Sequence, residues 1–236
     1  MSRLGERTWN DLTPATDPTG ADLRPILALP IGSCEQHGPH LPLETDTLIA
    51  VAIAERLADT RTDTLVAPAL TVTASGEHAG FPGTLSIGTA ATELVLIELV
   101  RSADWSRGVV FVNGHGGNAA AVRGAVRTLT AEGRIVLDWW PRISTADAHA
   151  GRTETSLLLA IAPHLVRLGA AMAGNTASIA TLSSALMAGG VVAVSPNGVL
   201  GDPAGASVAE GVDLLDALVA DLADRMRVAW PCSGLT

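Results

Sequence analysis

The residues best equipped for chemistry crowd one short stretch, Glu35-Gln36-His37-Gly38-Pro39-His40, followed by Thr45-Asp46. Glu35, His37 and Asp46 supply two carboxylates and an imidazole. That ligand mix holds a divalent transition metal and leaves it able to activate water. Glu35 and His37 are two apart, so in an extended loop their side chains project the same way. Asp46 falls at the expected start of a helix, where backbone N–H groups favour negative charge, and its two oxygens can bridge two cations. A chain with such a site is expected to be a hydrolase.

Two further clusters offer matching groups. His115 sits in the Gly-rich turn Asn113-Gly114-His115-Gly116-Gly117-Asn118. Its glycines permit close backbone approach, and Asn118 is a good N-cap for a following helix. His149 and Glu154 are five apart and straddle a turn and a helix start. His78, in Ser75-Gly76-Glu77-His78, reads as a wall or substrate-contacting residue, or as part of a solvated loop. His164, after Pro163, reads as structural. Cys34 reads as a small buried residue rather than a nucleophilic thiol.

Absences narrow the chemistry. All 15 basic residues are Arg, and Tyr is missing. Without Lys there is no phosphate-loop lysine and no Schiff base. Without Tyr no phenol can donate a proton, so acid–base work falls to His, Asp, Glu or activated water. The net charge of −9 argues against a nucleic-acid partner. No apolar run reaches the roughly 18 residues of a membrane helix, and the first residues lack a signal core. A cytoplasmic location is the expectation. Cys34 and Cys232 are too few and too far apart in sequence for a disulfide framework.

The elements that must position these groups follow from the hydrophobic pattern. Residues 26–31, 64–67, 109–112 and 134–138 read as strands, and 191–194 as a further one. Residues 46–58, 89–103, 119–132, 153–162 and 206–228 read as helices. Residues 1–24 read as a leading surface segment and 71–88 as a long loop. This alternation predicts an α/β fold, with a mostly parallel sheet covered on both faces. Ligands in such sheets bind beyond the carboxyl ends of the strands, which is where the loops of Glu35, His115 and His149 fall. The 236 residues, 47% of them apolar, suit one domain spanning 1–236.

The run Ile31-Gly32-Ser33-Cys34-Glu35-Gln36-His37-Gly38-Pro39-His40-Leu41-Pro42-Leu43 with Thr45-Asp46 resembles the signature of the creatininase (creatinine amidohydrolase) family. Four later blocks follow in the family's order. They are Glu77-His78 with Phe81-Pro82-Gly83-Thr84, the Asn113–Asn118 turn, His149-Ala150-Gly151 with Glu154-Thr155-Ser156, and Gly201-Asp202-Pro203 with Ala206 and Gly211. The resemblance implies a three-layer α/β/α fold, a two-metal amidohydrolase site holding Zn, Fe or Mn, and a homo-oligomer, often a hexamer. It implies Glu35 and His115 on one metal, His37 on the other, and Asp46 between them. Creatininase itself carries a glutamate ligand where this chain has Gly117, and an acid where it has Ala148. Both changes argue for another substrate, and Glu154 becomes the candidate for the missing ligand. The opening Leu4-Gly5-Glu6-Arg7-Thr8-Trp9 and Ser33-Cys34-Glu35 most resemble the mycofactocin-system branch. Its members are understood to remove a modified C-terminal Val-Tyr dipeptide from the short precursor peptide of a redox cofactor.

The catalytic expectation is that Glu35 or Glu154 assists the attacking water and His149 protonates the departing amine or steadies the oxyanion. Backbone amides of Gly116 and Gly117 are expected to add donors; Arg152 or Arg142 reads either as a grip on a C-terminal carboxylate or, more in keeping with its type, as a surface Arg. Two alternatives stand beside this: hydrolysis of a small cyclic amide or formamide, and a non-catalytic metal-stabilised binding protein.

Overall fold

The computed structural model describes residues 3–12, 22–143 and 147–231; Cys232 lies outside them. The apolar run Ile26–Ile31 forms β1, with all six residues buried. A parallel strand covered on both faces has to be apolar throughout, which is what this run supplies. Pro30 is tolerated in it because its nitrogen, which has no hydrogen to donate, faces the side where the neighbouring strand has already ended and where its carbonyl accepts from Leu70 N. The other strands are β2 (Thr64–Val66), β3 (Gly108–Asn113) and β4 (Val136–Trp139). They form one sheet in the order β2-β1-β3-β4, and every pairing is parallel.

Alternation along the strands feeds two cores. Ile26, Ala28, Val110 and Val112 face α1 (Thr45–Thr60), α4 (Arg152–Ile161) and α6 (Val208–Ala229), meeting Ile53, Leu158 and Leu222 among others. Leu27, Leu29, Val109 and Phe111 face α2 (Gly88–Arg101) and α3 (Ala119–Ala131), meeting Leu96 and Leu129. The expected three layers are therefore present, with helices on each face of the sheet. Strands β1 and β3 are central, so the loops that follow them emerge side by side.

One predicted element is overturned. Residues 191–194 are not a strand but the last turn of α5 (Ile179–Val194). The β-branched run invites a strand reading, but Gly190 breaks the helix with φ 68° and ψ −170°, and Val191 onward resumes it at a new angle. Helix α5 packs against the turn Gly76–His78.

Phe111 is fully buried between sheet and helices. Phe111→Ala should cost about 3–5 kcal/mol and lower Tm by roughly 6–20 °C in a thermal melt. A melt within a degree or two of the parent would contradict this account of the second core.

Candidate metal centre

Three loops deliver the site. The loop after β1 carries Glu35 and His37, the loop after β3 carries His115, and the chain beyond β4 carries His149. Asp46 is the second residue of α1 and is buried. It can reach the β3 loop because residue 114 is glycine: a Cβ there would stand 2.4 Å from the Asp46 carbonyl oxygen. Asn118 ties the loops together. Its amide donates to Gly32 O at 3.0 Å and to Asn113 Oδ1 at 3.2 Å, and its carbonyl accepts from Ala74 N at 3.2 Å. Asn118 does hold the N-cap position of α3, but its side chain makes no cap bond. The loop bridges engage it instead.

Asp46 is the hub. Oδ1 lies 3.0 Å from His37 Nε2, and Oδ2 lies 3.1 Å from His115 Nδ1 and accepts from Ser33 Oγ at 2.8 Å. Glu35 is fully buried between the histidines, with Oε1 3.2 Å from His78 Nε2 and Oε2 3.2 Å from His115 Nε2. Neither Glu35 oxygen has a hydrogen-bond partner among the described residues. Glu154 Oε2 accepts from Ala150 N at 2.6 Å and stands 3.9 Å from His37 Nε2. That contact depends on Ala150, whose φ of 53° is unusual for a side-chain-bearing residue.

Backbone carbonyls decide the tautomers, because a carbonyl only accepts. His37 Nδ1 donates to Glu35 O (3.2 Å), His115 Nε2 to Ala74 O (3.0 Å) and His149 Nε2 to Gln36 O (2.8 Å). Each ring thereby turns its other nitrogen inward: His37 Nε2 and His115 Nδ1 toward Asp46, and His149 Nδ1 toward Glu35 at 3.9 Å. Outer hydrogen bonds of this kind are what hold metal-binding imidazoles in place. His78 is oriented the other way. The Gln36 amide accepts from Gly38 N (2.8 Å) and donates to Gly198 O (3.0 Å), so its nitrogen also donates to His78 Nδ1 (2.9 Å). His78 then presents an N–H, not a lone pair, to Glu35.

The charges follow from burial set against these contacts. Burial pushes Glu35 up to about 7 against the pull of His115, and Glu154 up to about 7 against the pull of His37. Burial alone would raise Asp46 as well, but His37 and His115 hold it well below the usual carboxylate range. Burial disfavours protonated His37 and His115, yet the Asp46 carboxylate lifts them to about 10 and about 9. Burial, followed by the neighbouring imidazoles, pushes His78 down to about 3 and His149 well below its ordinary value.

The donor set fits divalent cations. Three groups of ligand atoms each lie within 4.8 Å of one another: Glu35-Asp46-His115, His37-His149-Glu154 and Glu35-His78-His149. Two buried carboxylate oxygens without partners are costly unless something positive meets them. The N–H on His78 sets the third group apart from the other two. A cavity of about 330 Å³ opens beside the cluster, lined by His115, Gly116, Trp140, Arg142, Glu154 and Leu157 among others.

Most sequence-predicted site residues converge here: Glu35, His37, Asp46, His78, His115, His149, Glu154 and the Gly116–Gly117 turn. Arg152 does not. Its guanidinium is bound to Glu210, with Nε 2.8 Å from Oε2, so it makes no carboxylate grip at the cavity. Arg142 lines the cavity instead. Sequence reasoning left Ser33, Gln36 and Glu77 without a role. Each adjoins a residue that was singled out or lies within two of it, which was the available signal.

The family profile for creatininase (creatinine amidohydrolase) matches residues 6–226. A mycofactocin precursor peptide peptidase of Mycolicibacterium smegmatis is 51% identical over 210 residues, covering 86% of this chain and 85% of that protein. The creatinine amidohydrolase of Pseudomonas putida is 29% identical, covering 97% of each. Among solved structures, a mutant creatininase described as Zn-Zn type aligns with a TM-score of 0.77 at 25% identity, covering 98% of each chain. The chain belongs to the creatininase family and is a hydrolase.

Protonation gives a test. In the chelated protein His37 has a raised pKa, so its stabilisation is complete below about 6.5 and fades as pH rises toward about 10. Chelated wild-type protein should lose Tm across that window more steeply than His37→Gln. Added Zn should stabilise the wild type increasingly over the same window, because it displaces the His37 proton. Parallel melting curves for the two chelated proteins would refute the assignment.

Proposed function

We propose that this chain is a metal-dependent peptidase. It removes the modified C-terminal Val-Tyr dipeptide from the short mycofactocin precursor peptide during redox-cofactor biosynthesis. The observation that carries the chemistry is the buried Glu35 carboxylate, which accepts no hydrogen bond among the described residues and groups with Asp46 and His115 as candidate metal ligands. The 51% identity to a protein named as this peptidase supports the substrate. So does the glycine at 117, which leaves no room there for the glutamate expected of a creatinine-cleaving site.

Glu35, Asp46 and His115 would hold one divalent ion, and His37, Asp46 and Glu154 a second. Zn, Fe and Mn all suit carboxylate–imidazole donors. Bound there, such ions polarise a carbonyl and lower the pKa of water to about 7. The chain's own groups do the rest. Glu154, on the cavity wall, offers a carboxylate oxygen that can take a proton from the attacking water. His149 offers a lone pair at Nδ1 and groups with Glu154, so it can collect the proton that Glu154 takes from water and pass it to the departing amine. Its Nε2–H stays on Gln36 O and keeps the ring in register. The Gly116 and Gly117 amides, next to His115 in sequence, would donate to the developing oxyanion. Arg142 meets the peptide's terminal carboxylate, for which a guanidinium is the bidentate match. Trp140, Ile143 and Leu157 give the apolar wall for its last side chains.

The same reading makes the chain one domain in a homo-oligomer, with a hexamer as the family's usual form. Helix α5 supports assembly: its 16 residues carry no charge, and Met187 is 87% exposed on it. It also assigns the chain to the cytoplasm, where a free thiol such as Cys34 persists.

The test combines metal analysis with mass spectrometry of the precursor peptide. Wild-type protein should shorten it by its C-terminal dipeptide. Asp46→Ala and His37→Ala should lose bound metal and hydrolysis together, with a fall in rate of at least about 10³-fold, the scale of several kcal/mol of charge stabilisation. Full turnover by a metal-free variant would end the scheme. Turnover of creatinine or a formamide with the peptide left intact would move the substrate assignment.

A further inference from the structure

The Nε2 edge of His115 faces three oxygens. Ala74 O accepts its hydrogen at 3.0 Å, Glu35 Oε2 lies at 3.2 Å, and Glu77 Oε1 lies at 3.5 Å. Ala74 O is neutral, and Glu35 belongs to the cluster itself. Glu77 is therefore the charged oxygen that backs the ring from outside. Its carboxylate occupies space that exists only because residue 117 is glycine. A Cβ at 117 would stand 2.2 Å from Glu77 Oε1, 2.3 Å from His115 Nε2 and 2.7 Å from Ala74 O. No side chain fits at those distances without displacing the ring or its oxygens.

The backbone of Glu77 is held from the far side. Helix α5 kinks at Gly190, where a Cβ would meet Glu77 O at 2.6 Å. The kink lets the helix lie directly on the turn Gly76–His78. Gly117 opens the space and Gly190 fixes the turn that fills it. Among the described residues His115 is the ion-pair partner of this carboxylate.

We propose that Glu77 is a positioning residue of the metal centre, and that Gly117 is glycine in order to admit it. A negative charge at the Nε2 edge favours the proton there and keeps the lone pair at Nδ1, facing Asp46. It also makes the ring a more basic ligand. Carboxylates behind metal-bound imidazoles act in this way, and their loss weakens metal binding about 10–100-fold. The carboxylate absent from position 117 is thus replaced in place, but from another loop and in another role. This rests on reading the cluster as a metal centre.

The experiment is titration of chelator-stripped protein with Zn²⁺ and Co²⁺ in metal buffers. It compares wild type, Glu77→Gln, Glu77→Ala, Gly117→Ala and the Glu77→Ala/Gly117→Ala pair. Glu77→Gln keeps the size and removes the charge. It should bind the ion at the His115 site about 10–100-fold more weakly and shift the Co²⁺ absorption bands. Its metal-free melt should match wild type, since the Glu77 side chain is 36% exposed. Gly117→Ala should show at least the same loss, and adding Glu77→Ala to it should cost little more, because both disturb one contact. Wild-type affinity and spectrum in Glu77→Gln would overturn the proposal, as would fully additive losses in the pair. If Glu77→Ala fails to fold, Glu77→Gln still decides. Peptide cleavage is not read, so an error in the substrate leaves the result standing. A wild-type chain that takes up neither ion sinks the metal-centre reading, and this proposal with it.

Discussion

The buried carboxylate of Asp46, set between two imidazoles, is the constraint on which the rest of the structure depends. Placing an ionised carboxylate at 2% exposure is unfavourable unless its oxygens are fully met. Asp46 meets that demand with His37 on one oxygen and with His115 and Ser33 on the other. Those partners come from two loops, Ser33 and His37 after β1 and His115 after β3, so they can assemble only where neighbouring parallel strands end side by side. Helix α1 must also begin there, its first turn pressed against the β3 loop at Gly114. The apolar run of β1 and the two hydrophobic cores can be understood as the scaffold this arrangement requires.

The same constraint bears on why the donor set fits cations as well as internal ion pairs. Without a cation, His37 and His115 hold protons that balance Asp46, and His115 also faces Glu35 Oε2 at 3.2 Å, but neither Glu35 oxygen accepts a hydrogen bond among the described residues. In the three rings with carbonyl-bound N–H groups, the second nitrogen faces the carboxylates and offers them a lone pair only when it carries no proton. Protons are poor occupants of such a geometry, because they satisfy the charge without satisfying both Glu35 oxygens. A divalent ion satisfies the charge and the geometry at once.

Much of this was legible in the chain. Glu35, His37 and Asp46 could be read because loop periodicity and a helix start are local properties, and the strand ends brought His115 and His149 to the same rim. What failed were the features decided at long range. Arg152 looked free to bind a carboxylate, but its partner Glu210 is 58 residues away. The Val191-Val192-Ala193-Val194 run carried a strand pattern that a single glycine, packed on a distant turn, converted into a helix end. Asn118 was placed correctly as a helix start, while its side chain answered to Gly32 and Ala74 instead. The room around Gly117 was invisible for the same reason: sequence shows a missing side chain, not what occupies its place.

That last point bears on how one scaffold serves different substrates. A ligand fixed on the β3 loop is rigid, because that loop continues a central strand. A carboxylate delivered by the turn Gly76–His78 is held only as firmly as that turn, and the turn is held by α5. Helix α5 is uncharged and exposed along one side, with Met187 and Ile179 open to whatever covers it. Moving the carboxylate from position 117 to Glu77 therefore links the electronics of His115 to a surface helix well outside the centre. The one glycine therefore admits Glu77 against His115, and on the metal-centre reading it sets the charge behind that ligand.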